Sequence, residues 1–304
     1  MTPVPSRSGG AAAGLGYAVG AYVLWGVLPV YFVALAPSGP IEIVSWRVVL
    51  SLVFCAALLV VVRGWGRTLA LLRDPRVMGW LTLAAVLITV NWLVFVVAVD
   101  SERVLEASLG YFINPIVSVL IGVLLLRERL RRLQWAAVAV AAVAVVVLIA
   151  FHGEFPWLAL TLAFSFGFYG YVKNRTGSRV DAASGLAIET AVLTPLAIGA
   201  LVWVQVTSGL TLGGHGTWHT VLLLSAGAIT AVPLILFAAG ARRLPLSIVG
   251  LVQFFAPVMQ FLTGWLLLGE PMPPARWLGF GIVWVAVLLL GIDMVRQIPR
   301  NRRR

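Results

Sequence analysis

Charge is what this chain has least of. Of its 304 residues 11% are charged and 61% apolar, whereas soluble domains are about a quarter charged. So few charges cannot cover a water-facing surface, which excludes an ordinary soluble enzyme. Cysteine is nearly absent: Cys55 stands alone in an apolar run, so neither a disulfide within the chain nor a cysteine-based metal site can form. Lysine is almost missing. The net charge is +11, from 22 Lys+Arg against 11 Asp+Glu, yet Lys173 is the only lysine and the arginines sit in short clusters between apolar runs. That pattern argues for membrane topology and against nucleic acid. Motifs for chemistry are missing too. There is no P-loop, no H-E-x-x-H and no G-x-S-x-G, so neither an ATP-driven pump of its own nor an enzyme is expected, and no cofactor or metal is implied. His152, His215 and His219 fall in or beside loops and read as solvated.

What the chain does have is long apolar runs. There are ten, at about 14–36, 40–62, 77–99, 104–126, 133–151, 155–173, 182–206, 218–240, 244–268 and 276–294. Each is long enough for a crossing of about 20 residues. Backbone groups in hydrocarbon must pair internally, so the runs are expected to be helices. Residues Ala136 to Ala150 lack the alternation of a barrel strand. The first run exceeds a signal-peptide core of about 7–15 residues and is followed by more spans, so it reads as a retained helix. Nineteen of the basic residues fall in alternate segments, only Arg103 and Arg276 fall between them, and Arg47 is left inside a span. Positive charge stays cytoplasmic, which puts both termini there.

The chain matches itself at a shift of 142 residues: Pro115 with Pro257, Gly122 with Gly264, Glu128 with Glu270, Trp135 with Trp277 and Phe95 with Phe237. The shift carries the third, fourth and fifth runs onto the eighth, ninth and tenth. Each half then holds five crossings, and an odd number inverts the second half. The expected fold is therefore an all-α polytopic membrane protein of ten transmembrane helices in two inverted five-helix repeats. The repeats are residues 13–151 and 155–295, with cytoplasmic tails 1–12 and 296–304. Inverted repeats with a site near the midplane are the plan of secondary transporters.

Ionisable groups deep in a span cost about 3 kcal/mol and are functional candidates. Arg47 and Glu189 each lie about 10 Å into a span at 1.5 Å per residue, and they are separated by the same 142-residue shift. Arg47 reads as a substrate-binding cation and Glu189 as a carboxylate for a proton or substrate cation; a structural ion pair is the alternative. In the fourth run Ala107, Gly110, Tyr111, Asn114 and Ser118 form a stripe at helical spacing, and Pro115 frees a backbone carbonyl there. In the ninth run Pro257 does the same beside Gly250, Gln253 and Gln260. Cavity lining or tight helix contact would each use such features. Asn91 and Trp92 are further binding candidates, with Trp25 and Trp46 behind them. Glu42 and Glu106 read as solvated groups of an outer vestibule, Glu128 and Glu270 as structural.

The segment from Glu106 to Pro115, EASLGYFINP, followed by Arg127-Glu128-Arg129-Leu130, resembles the signature of the RarD group in the EamA family of the drug/metabolite transporter superfamily. Trp25-Gly26, Glu42-Ile43 with Arg47, Asn91-Trp92 and Gln253-Phe254-Phe255-Ala256-Pro257 resemble it as well. The resemblance implies a ten-helix permease of the inner or plasma membrane and slightly favours export; it supplies no agreed set of binding residues. The expectation is a proton- or gradient-coupled exporter of small metabolites or drug-like solutes, with an uncoupled facilitator as the alternative and an integral membrane enzyme or a scaffold as the other classes. Its expected partners are a small-molecule substrate and the lipid bilayer, with a homodimer left open.

Overall fold

The described residues close their backbone hydrogen bonds in helices, with no strand among them. The computed structural model describes residues 7–126, 131–152, 155–176, 179–241 and 252–297. In chain order the helices are α1 (Arg7–Gly26), α2 (Leu28–Val33), α3 (Pro40–Val61), α4 (Trp65–Leu71), α5 (Pro75–Asp100), α6 (Val104–Leu126), α7 (Arg132–His152), α8 (Trp157–Thr176), α9 (Ala182–Thr207), α10 (Gly216–Leu224), α11 (Ala226–Ala241), α12 (Phe255–Leu262, continued by a π-helical turn, Thr263–Leu267) and α13 (Pro274–Gln297).

Local chemistry sets many of the boundaries. Asp74 caps α5 by accepting from the amides of Arg76 and Val77, with Pro75 in the first turn where its missing N–H costs nothing. Asp181 caps α9 through the amide of Ser184. Burial pushes the Asp181 carboxyl up, but the Ser184 amide and hydroxyl, with Arg67 near, outweigh it and hold its pKa below the ordinary value. The first run breaks at Val27, between α1 and α2. Pro29 cannot donate to the Trp25 carbonyl four residues back, and Gln260 Nε2 of α12 donates to that carbonyl at 3.2 Å instead. The run at 218–240 is broken at Ser225, whose hydroxyl donates to the Leu222 carbonyl. Two further features depart from the expected pattern. The loop after α3 contains the short helix α4, and α8 runs on to Thr176, which takes Lys173 and Arg175 into its last turn.

Among the described residues seven helical segments, with α1–α2 and α10–α11 each taken as one, are long and apolar enough to cross a membrane by length and composition; Arg132–Ala144 and Phe255–Leu267 are apolar but shorter. Their outward faces carry Val61, Leu124, Val206 and Trp218, each more than 70% exposed. Water would not tolerate such a surface, but lipid does. The main core gathers residues of α2, α3, α5, α8, α9 and α11. Three of the helix pairs related by the 142-residue shift pack on each other: α3 on α9, α6 on α12, and α7 on α13. All three pairs are antiparallel. Glu42, at the start of α3, bonds Thr211 beyond the end of α9, and Thr68, beyond the end of α3, bonds Ser184 at the start of α9. Glu270, beyond α12, accepts from the amides of Val104 and Leu105 at the start of α6. Arg131, before α7, pairs with Asp293 near the end of α13.

Candidate functional site

Arg47 is buried on α3, 5% exposed. Its Nε donates to the hydroxyl of Thr230 on α11 at 2.7 Å. Its guanidinium carbon lies 4.3 Å from the ring centre of Trp92 and 5.5 Å from that of Phe32. Stacking on aromatic faces in a dry site stabilises the cation by up to ~2 kcal/mol. Among the described residues no carboxylate lies within ion-pair distance, and neither Nη atom has an acceptor. The planar fork that binds carboxylates or phosphates is therefore free.

Around this cation the structure assembles several of the sequence candidates. Asn91 of α5 donates to the Leu162 carbonyl and to Ser165 Oγ, each at 3.1 Å, and accepts from the Tyr111 hydroxyl at 3.0 Å. It ties α5, α6 and α8 at one point. Aromatic rings then run in sequence from Phe32 through Phe95, Tyr111 and Phe166 to Tyr169, with centroids 5.7–6.1 Å apart. The run ends at Glu189, which is fully buried on α9. Glu189 Oε1 is 2.7 Å from Lys173 Nζ, and Oε2 accepts from the Tyr169 hydroxyl at 3.2 Å. Arg47 and Glu189 thus have separate partners. The ion pair in the site is Lys173–Glu189.

Other candidates have different surroundings. Gly110 packs on α8, where a Cβ would come 2.6 Å from the Ala159 carbonyl oxygen. Asn114 donates to the Ala163 carbonyl at 3.0 Å, so this face of α6 meets α8, and Pro115 lies within that buried contact. Gln253 sits in a turn ahead of α12, and Pro257 occupies the first turn of that helix. Gly250 and Glu128 lie outside the described residues. Trp46 is half-buried with its indole N–H unpartnered among them. Glu106 pairs with Arg103 at 2.6 Å.

Two expectations are corrected. Glu42 is not solvated: it is 2% exposed and accepts from the amide and hydroxyl of Thr211. His219 is not solvated either. It is 5% exposed, and its Nε2 donates to the Leu35 carbonyl at 3.1 Å, with Ser38 Oγ at 3.0 Å. Both partner sets come from the other half of the chain, 169 and 184 residues away, and sequence proximity gives no sign of them.

Sequence alone does not single out Lys173, which falls with the loop arginines, or Thr230, Phe32 and Tyr169 as binding candidates. For Lys173 a signal existed, since the sole lysine among 22 basic residues stands where every other cation is arginine. Among the described residues no three His, Cys, Asp or Glu side chains converge as a metal site would require.

Known proteins resemble the chain over most of its length. A model of the EamA-like transporter family matches residues 12–150 and again 156–292. Protein RarD of Streptomyces exfoliatus is 47% identical over 96% of this chain and 92% of that protein. The uncharacterized transporter YojE of Bacillus subtilis (strain 168) is 39% identical over 93% of this chain and 95% of that one. Chloramphenicol-sensitive protein RarD of Pseudomonas aeruginosa is 33% identical over 93% and 95%. A solved crystal structure shares the fold with a TM-score of 0.59 at 18% identity, covering 96% of this chain and 100% of that one. With the family model matched twice along its length, this multi-pass membrane protein belongs to the EamA-like transporter family.

Proposed function

We propose that the protein is a gradient-coupled secondary transporter that exports small metabolites or drug-like solutes by alternating access across the inner or plasma membrane. The observation that carries this reading is Arg47. A buried guanidinium without a carboxylate, its Nη atoms free and its face on Trp92, is costly unless it meets an anionic or polar group of a cargo. Glu189, held by Lys173 and Tyr169, is the proposed proton-exchanging group: a proton on the carboxylate would release the lysine and loosen α8 from α9.

The proposed architecture is ten crossings in two inverted repeats, residues 13–151 and 155–295, with both termini cytoplasmic. The antiparallel packing of α3 with α9, α6 with α12 and α7 with α13 supports the inversion. The alternation of basic segments supports the orientation.

The test is flux in proteoliposomes under an imposed pH gradient. Radiolabelled chloramphenicol serves as probe, chosen from the name of the Pseudomonas aeruginosa relative. Flux should collapse in Arg47→Ala and Glu189→Gln with normal protein levels. Unchanged flux in both variants would sink the assignment. A second reading, a facilitator without proton coupling, is favoured by the Lys173–Glu189 pair, since a neutralised carboxylate can be purely structural. In that case flux would ignore the pH gradient and Glu189→Gln would transport normally.

A further inference from the structure

Two hydrogen-bonded clusters stand at opposite ends of the α3–α9 pair, in equivalent places of the two halves. At the start of α3, Glu42 Oε1 accepts from the Thr211 amide at 2.9 Å and from its hydroxyl at 3.0 Å. The Ser38 hydroxyl lies 2.6 Å from that of Thr211. At the start of α9, the Ser184 hydroxyl donates to Asp181 at 2.8 Å and lies 2.8 Å from the Thr68 hydroxyl. Glu42 and Ser184 are separated by the 142-residue shift. Each cluster ties the first turn of one central helix to the segment that leaves the other, and each relay of hydroxyls ends on a carboxylate.

The two proposed contacts, Glu42–Thr211 and Thr68–Ser184, are buried, while the Asp181 end of the inner relay is only part-buried. Glu42, Ser38, Thr68 and Ser184 are each less than 5% exposed. Hydroxyl-to-carboxylate bonds of this kind contribute modestly in net terms, because water replaces them well once they are exposed. That is what a reversible closure requires. At the Glu42 end an orphaned atom waits for such hydration: His219, whose Nε2 meets Ser38, keeps its Nδ1 buried without a partner among the described residues. Alternating access needs one end of the central pair to part while the other stays joined. The structure holds both together.

We propose that Glu42–Thr211 and Thr68–Ser184 are the two gate contacts of the transport cycle, the first closing the outer face and the second the inner. The inference rests on the alternating-access reading. The gates are symmetric in position but not in chemistry: a carboxylate grips an amide and a hydroxyl outside, while two hydroxyls meet inside.

A thiol reporter tests this without a substrate. Ser51 lies one turn along α3 from Arg47, fully buried with its hydroxyl unpartnered among the described residues. In a Cys55→Ser background, Ser51→Cys is reacted with a membrane-impermeant methanethiosulfonate, added outside right-side-out vesicles or outside inverted ones. Thr211→Val should raise labelling from the outer side about fivefold, the population shift that one lost hydrogen bond gives. Thr68→Val should lower labelling from the outer side and raise it from the inner. Shifts of the same sign in both variants, or none, overturn the gate assignment.

If a valine variant does not fold, the pair Glu42→Cys with Thr211→Cys replaces it. Oxidative crosslinking should block labelling from outside and spare labelling from inside, and a reductant should restore it; persistent labelling from outside overturns the proposal. A reporter that reacts from neither side in the parent overturns alternating access itself. A reactive parent with unmoved gate variants overturns only this inference.

Discussion

Arg47 is where the chemistry of a single side chain decides most. Arginine suits the place because its flat guanidinium stacks on Trp92 while still presenting a two-pronged donor edge. Lysine would keep the charge but lose both features. Arg47→Lys should therefore cut probe flux at least about tenfold, as loss of a charge-assisted hydrogen bond implies, with unchanged expression; flux near that of the parent would show that charge alone suffices. Lys173 and Glu189 make the opposite case, where lysine and carboxylate need each other. Removing one partner of a buried pair costs about 3–5 kcal/mol because the other is left charged and dry, whereas removing both costs far less. The lysine end is 29% exposed, which discounts the figure. Thermal unfolding in detergent should show Lys173→Met clearly destabilised and Lys173→Met/Glu189→Gln largely recovered. Additive losses would refute the coupling.

Between elements, backbone contact and capping carry the load. Gly110 lets α6 touch the backbone of α8, where any side chain would collide with Ala159. Gly170, on α8 itself, faces open space. Gly110→Ala should then destabilise, with a clear drop in melting temperature. Gly170→Ala should be neutral or gain up to about 1 kcal/mol from helix propensity. Equal effects at the two sites would refute the close-packing account. Glu270 is the other joint. It accepts from the amides of Val104 and Leu105, which no residue of α6 itself can satisfy. Glu270→Ala removes a cap of charged acceptor type and should cost about 1–2 kcal/mol. Hydrogen exchange should rise first at the start of α6, and uniform acceleration along the chain would argue for global loss instead.

At the scale of the molecule, the pairing of helices 142 residues apart makes the two halves each other's core. Neither Arg47 nor Glu42 finds its hydrogen-bond partner within its own half: Arg47 of the first half is held by Thr230 of the second, and Glu42 by Thr211. A chain cut between residues 151 and 155 should therefore yield halves that are stable only when co-expressed, as co-purification from detergent would show. Independent stability of either half would contradict this. The proposed orientation adds a separate check. Protease sites appended to the two termini should both be cleaved in inverted vesicles and both be protected in right-side-out ones, and cleavage of one terminus only would require an odd number of crossings.

The all-helical, multi-pass membrane character was legible because lipid imposes a one-dimensional rule: about twenty apolar residues with internal backbone pairing suffice for a span. Arg47 and Glu189 were legible for the same reason, since a charge inside such a run stands out by its cost. The repeat was legible from Pro, Gly, Glu and Trp matches at one shift. Partnership was not legible, because it is a property of distance in space. Sequence left open whether Arg47 and Glu189 neutralise each other; tertiary packing gave Glu189 to Lys173 and left Arg47 on aromatic faces. Glu42 and His219 read as solvated because they lie near helix ends, and only the meeting of two distant segments buried them. The sequence by itself determined that the chain lives in a membrane and which of its charges are expensive. The tertiary structure decided which of those charges are already answered from within the protein, because in a dry interior a charge is settled only by what lies within a few ångströms of it.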